Sequence, residues 1–175
     1  VSALSEVEAL TRALGARVEP VADVPRGRQA MYLHPGAVAV AAEPAAVTTI
    51  LGSCVSVCLF DPVLRVGGAN HFLLPDHGSA APSTRFAGEA LRELLARLLA
   101  LGADRRRLQA KVFGGACVVE AFRRSADHLG TRNAAAAFRF LEMERIPVMA
   151  EDTGGERGRK LLFHTDDGTA LVRPL

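Results

Sequence analysis

Cys54 and His71 are the two side chains whose setting suggests covalent chemistry. Cys54 closes a run of small residues, Gly52-Ser53-Cys54, and opens the apolar stretch Val55-Ser-Val-Cys-Leu-Phe60. His71 follows within a second apolar stretch, after Gly67-Gly-Ala-Asn70. A thiol becomes a nucleophile when a base takes its proton and a carbonyl can come close to the backbone beside it. Gly52 and Ser53 leave room for that approach, so they are the candidate substrate-binding residues. N–H groups at a turn there could stabilise an oxyanion. A short turn at Asp61-Pro62 joins the two stretches. As a hairpin it would bring Cys54 and His71 to corresponding ends of adjacent strands.

A Cys-His pair needs a third group to orient the ring. Asn70 is adjacent to His71 and so points to the opposite side of a strand. Asp61 lies in the turn. The Thr48 hydroxyl can accept an imidazole N–H. The residues alone leave all three open. Cys58 reads as core. His34, His77, His128 and His164 read as surface. Cys54, Cys58 and His71 lack a fourth ligand and the paired spacing of a zinc site, so no metal and no cofactor is expected. If the stretch is extended, Cys54 and Cys58 stand ~13 Å apart, too far for a disulfide.

The elements that must hold these groups follow from the periodicity. Residues 38–42, 47–50, 53–60, 65–74, 108–113, 148–151, 160–164 and 170–173 read as strands. Asp166-Asp167-Gly168 reads as the hairpin turn between the last two. Leu91, Leu94, Leu95 and Leu98 recur at helical spacing, which predicts a helix over 85–101 that stops at Gly102. Asn133 is expected to cap a second helix that runs to about Arg145, before Pro147. The expected fold is α/β, a layered sandwich of mixed β-sheet with two main helices.

Residues 1–29 read as an N-terminal extension. It holds a short amphipathic helix over 4–14, with Ser5 and Glu8 as a capping box, and then a linker. Residues 30–175 form the domain. A net charge of +2 over 175 residues does not imply nucleic-acid binding, and Arg105-Arg106-Arg107 reads as solvated surface. No apolar run reaches the ~18 residues of a membrane span, and nothing resembles a signal peptide, so a cytoplasmic protein without membrane insertion is expected.

The stretch from Thr48 through Cys58, then Asp61-Pro62, then Gly67 to Pro75, resembles the chemoreceptor glutamine deamidase family, CheD. Lys111-Val-Phe-Gly-Gly-Ala116, Gly130-Thr-Arg-Asn133 and Ala150-Glu-Asp-Thr-Gly-Gly155 extend the likeness in order across roughly residues 31–175. The resemblance implies a cysteine hydrolase that deamidates glutamines on the cytoplasmic helices of methyl-accepting chemotaxis receptors. It implies a fold related to bacterial deamidase toxins and a CheC-type phosphatase as a possible partner. It carries the nucleophile to Cys54 and the base to His71. The family's threonine, six residues before its cysteine, falls on Thr48. Strand alternation likewise puts Thr48, not Thr49, on the Cys54 face. Two other functions compete: a non-catalytic module that binds and regulates such a phosphatase, and another Cys-His acyl transferase.

Overall fold

The computed structural model describes residues 27–123 and 125–175, so the expected helix over 4–14 lies outside the described residues. Among the described residues two sheets and two α-helices stack in three layers. The outer sheet has the order β1-β3-β8-β9, from Gln29–Tyr32, Ala45–Leu51, Arg159–His164 and Ala170–Pro174. The central sheet has the order β2-β5-β4-β6-β7, from Val38–Ala41, Val66–Asn70, Val55–Asp61, Gln109–Gly114 and Val148–Thr153. Both sheets are mixed: β1 runs parallel to β3, β6 runs parallel to β7, and the other pairs are antiparallel. This is the layered α/β sandwich expected. β1 is a strand that hydropathy does not announce.

Alternation along β4 sorts its residues between two cores. Val55, Val57 and Leu59 face the helices, α1 (Ala87–Ala100) and α2 (Leu129–Met143). Cys54, just before the strand, and Cys58 face the outer sheet, among Val47, Leu51, Leu161 and Phe163. The buried stripe of α1, Leu91, Leu94, Leu95 and Leu98, is the one the leucine spacing predicts. Each such side chain contributes about 1.5–3 kcal/mol by burial.

The second helix starts earlier than Asn133. His128 is its N-cap and accepts from the Thr131 N–H through Nδ1 at 3.3 Å. Asn133 is a fully buried residue inside the helix. His164 is also buried, at 6% exposure, where a surface position is expected. Arg107 is not simply solvated. It pairs with the fully buried Asp61 at 2.8 Å, while Asp61 also accepts from the Val63, Leu64 and Asp104 N–H groups. One carboxylate thus ties the β4–β5 turn to the segment entering β6. Those contacts hold it well below the usual carboxylate range, against the opposing effect of desolvation.

Candidate active site

The site lies where the central sheet faces β3. Antiparallel pairing of Cys58 with Ala69, continued by the Val55–Phe72 bridge, sets Cys54 opposite Leu73 and Ser56 opposite His71. Cys54 and His71 are therefore diagonal neighbours on one face, the relation that lets side chains on adjacent strands meet. The His71 backbone is pinned on both sides: its N–H donates to Ala37 O at 3.0 Å, and its carbonyl accepts from Gly36 N at 2.6 Å. Neither Asn70 nor Asp61 orients the ring. Asn70 Oδ1 accepts from Val57 N at 2.9 Å, and Asp61 is committed to its turn.

The group on the ring is Thr49. Its Oγ1 lies 2.8 Å from His71 Nδ1 and donates to Leu33 O, also at 2.8 Å. A hydroxyl has one hydrogen. With that hydrogen committed to the Leu33 carbonyl, Oγ1 can only accept from the ring. Nδ1 therefore carries the proton, and the Nε2 lone pair is left free. Nε2 is buried with no partner among the described residues.

Thr48 does not take this place. It is 2% exposed, and its Oγ1 has no hydrogen-bond partner among the described residues. The alternation argument fails because β3 ends at Leu51 and the chain bends through Gly52-Ser53 into a different sheet. Parity counts faces only within one continuous strand. Within β3, Thr49 shares its face with Val47 and Leu51, which lie in the core between the sheets.

Burial sets the resting charge state. It pushes the Cys54 thiol up to about 12, opposed only in part by the N–H of Cys54 itself. It holds the His71 imidazole down to about 4; the Leu33 carbonyl works in the opposite sense, and nearby His34 adds to the lowering. Both effects favour the neutral form, so the pair rests as thiol and imidazole rather than as thiolate and imidazolium.

The Gly-Ser-Cys bend is held from three directions. Ala116 N donates to Gly52 O, and Gly115 N donates to Cys54 O, each at 2.8 Å. Asn133 Nδ2 donates to Ser53 O at 2.9 Å and to Leu73 O at 2.8 Å. The Gly114-Gly115 loop that supplies two of these donors has φ of +109° and +70°, the left-handed region open to glycine. Gly130 seats the start of α2 on that loop, since a Cβ there would lie 2.1 Å from Gly115 O. Ser53 also lines a cleft with Cys117, Val119, Phe122, His128 and Leu129, and its Oγ is buried without a partner among the described residues. Sequence reasoning thus sets Thr49 aside in favour of Thr48 and reads Asn133 as a helix cap, where the structure places Thr49 on the His71 ring and Asn133 on the Ser53 and Leu73 carbonyls. The Thr-Thr doublet was the available signal for the first, and the Gly-Thr-Arg-Asn motif for the second.

This is an α/β sandwich with a buried cysteine–histidine pair at the seam between its two sheets. The family described as CheD chemotactic sensory transduction matches residues 73–174, and the chain belongs to that family. A protein of Anaeromyxobacter dehalogenans (strain 2CP-C), named "Probable chemoreceptor glutamine deamidase CheD 1", is 54% identical over 172 residues, covering 95% of this chain and 100% of that one. A Rhodospirillum rubrum protein, "Probable chemoreceptor glutamine deamidase CheD", is 43% identical over 144 residues, covering 82% and 81%. Among solved structures, protein NMB0706 of Neisseria meningitidis, family DUF152, matches with a TM-score of 0.48 and 13% identity over 93% of this chain and 80% of that one.

Proposed function

We propose that this chain hydrolyses glutamine side chains to glutamate on the helices of chemotaxis receptors, with Cys54 as nucleophile, His71 as base and Thr49 as the residue that orients the base. The carrying observation is the Leu33–Thr49–His71 chain of hydrogen bonds. It fixes the imidazole tautomer and leaves the Nε2 lone pair free, on a residue whose place in the sheet register puts it on the same face as Cys54. The relatives' names supply the substrate class.

From a neutral pair, proton transfer accompanies attack. His71 Nε2 takes the Sγ proton as sulfur bonds to the side-chain amide carbon. The tetrahedral oxyanion collapses, the C–N bond breaks, and His71 returns the proton so that ammonia leaves. Water then attacks the thioester while His71 takes its proton. Glutamate departs and the thiol is restored. Gly52 and Ser53 form the wall the side chain passes, with the Ser53 hydroxyl free to bond the amide.

Among the described residues no helix is long and apolar enough to cross a membrane. Action in the cytoplasm, on the cytoplasmic helices of the receptors, belongs to this reading, as does association with a CheC-type phosphatase. The test is incubation with a purified receptor cytoplasmic domain, followed by ammonia measurement and peptide mass spectrometry. Ammonia release in step with glutamine-to-glutamate conversion is expected. A chain that converts no receptor glutamine, or that cleaves the receptor backbone, refutes the proposal.

A further inference from the structure

Asn133 has a place in this site that the cysteine–histidine chemistry does not by itself require. A medium-length polar side chain fully buried inside a helix carries a desolvation cost, which its partners must offset. Here both Nδ2 hydrogens are used, on carbonyls from two other segments: Ser53 O before the nucleophile and Leu73 O after the base.

The Ser53 carbonyl belongs to the same peptide unit as the Cys54 N–H. That unit is planar and trans, so its C=O and N–H point in opposite directions. Fixing one end therefore aims the other. The next unit back is treated the same way: Ala116 N holds Gly52 O and so aims the Ser53 N–H. Neither the Ser53 nor the Cys54 N–H has a backbone acceptor among the described residues. The Cys54 N–H lies on the backbone of the nucleophile itself, beside the carbon that Sγ attacks, where the oxygen of a carbonyl under attack develops negative charge.

We infer that the Cys54 and Ser53 N–H groups form the oxyanion hole, and that Asn133 is the positioning residue that aims the Cys54 N–H by holding the Ser53 carbonyl from behind. The inference rests on the acyl-transfer reading above, and the two fail in different ways.

The test compares two reactions of the same thiol. Alkylation of Cys54 by iodoacetamide displaces iodide and forms no oxyanion. Deamidation forms one in each half-reaction. Asn133→Leu keeps approximate size and removes both donors; Asn133→Asp keeps the shape and turns acceptors toward the two carbonyls. In whichever variant melts cooperatively, the turnover number should fall about 30-fold or more, with KM for the receptor fragment little changed and alkylation within about threefold of wild type. Turnover within about threefold of wild type overturns the inference, because a lost oxyanion contact costs far more. So does a parallel loss of alkylation and turnover, which would make Asn133 a support for the thiol alone. The wild type provides a measurement that needs no variant. A receptor peptide carrying glutamate semialdehyde in place of the target glutamine should form a thiohemiacetal on Cys54, with the Cys54 and Ser53 amide proton resonances moving downfield. An adduct that leaves both unmoved overturns the oxyanion assignment. Wild-type protein that converts no receptor glutamine refutes the deamidase reading instead, before any variant is made.

Discussion

Lowering the pH should show that the buried Cys54–His71 pair refuses a second proton. His71 has an ordinary value of 6.5 and is held at about 4 in the fold. Between these values the unfolded chain binds a proton that the native protein refuses, so stability rises with pH across this window and is lost as pH falls through it. The gap of roughly 2.5 units, at about 1.4 kcal/mol per unit, corresponds to a loss of about 3 kcal/mol between pH 6.5 and 4. That is a large share of the ~5–15 kcal/mol by which domains are stable. Asp61, held low by Arg107 and backbone N–H groups, acts in the same direction but below its ordinary value of 3.8, so the two windows separate. Urea unfolding at steps from pH 4 to 7.5, on wild type and on His71→Asn, isolates the difference. The asparagine can still donate to Thr49 but does not titrate. The wild-type curve should be steeper than the variant's by up to about 1.4 kcal/mol per pH unit. Parallel curves would refute the reasoning. A wild type that gains stability relative to the variant as pH falls toward 6.5 would mean that the native pair binds an extra proton, an imidazolium beside a neutral thiol, and that burial does not lower His71.

Cys54→Ala should abolish ammonia release with the fold intact, while Cys58→Ala should keep activity and lose roughly 1–2 kcal/mol in urea unfolding through a small cavity. Thr49→Val should lower turnover on the order of 100-fold by releasing the ring, Thr49→Ser should keep most of it, and Thr48→Val should be nearly silent in both activity and stability because its hydroxyl is buried unpaired. Gly130→Ala should cost about 3 kcal/mol or more in a thermal or urea melt, since its Cβ would meet Gly115 O at 2.1 Å, and turnover should fall with it because Gly115 N holds Cys54 O.

The parts of this molecule that could be read from sequence are those governed by local periodicity. The leucine stripe of α1, the apolar run that becomes β4 and the Asp166-Asp167-Gly168 turn are each set by residues a few positions apart. Gly168, at φ +72°, sits where that turn needs it. That Cys54 and His71 share one face is legible because one short hairpin carries both. What was not legible depends on distant partners. Asn133 reads as a cap when only its neighbours are considered, yet its acceptors lie 60 and 80 residues away in sequence. Arg107 reads as surface because the buried carboxylate it meets is 46 residues back. Alternation points to Thr48 only if it is carried through Gly52 and Ser53, beyond the end of β3 at Leu51.

The sheet order bears on the choice between a deamidase and a protease. A protease that takes an extended substrate commonly adds it to an exposed strand edge, where unpaired N–H and C=O groups receive it. Cys54 opens β4, which is flanked by β5 on one side and β6 on the other. β3, which faces it, lies between β1 and β8. Neither strand next to the thiol has a free edge. The carbonyls from Gly52 to Cys54 already accept from Ala116, Asn133 and Gly115, so they are not open to an incoming backbone. A receptor helix likewise has its own backbone groups paired internally and offers only side chains. On the proposed reading the two surfaces therefore meet through a projecting side chain, and a glutamine amide is a carbonyl that such a chain carries down to a thiol enclosed between two sheets.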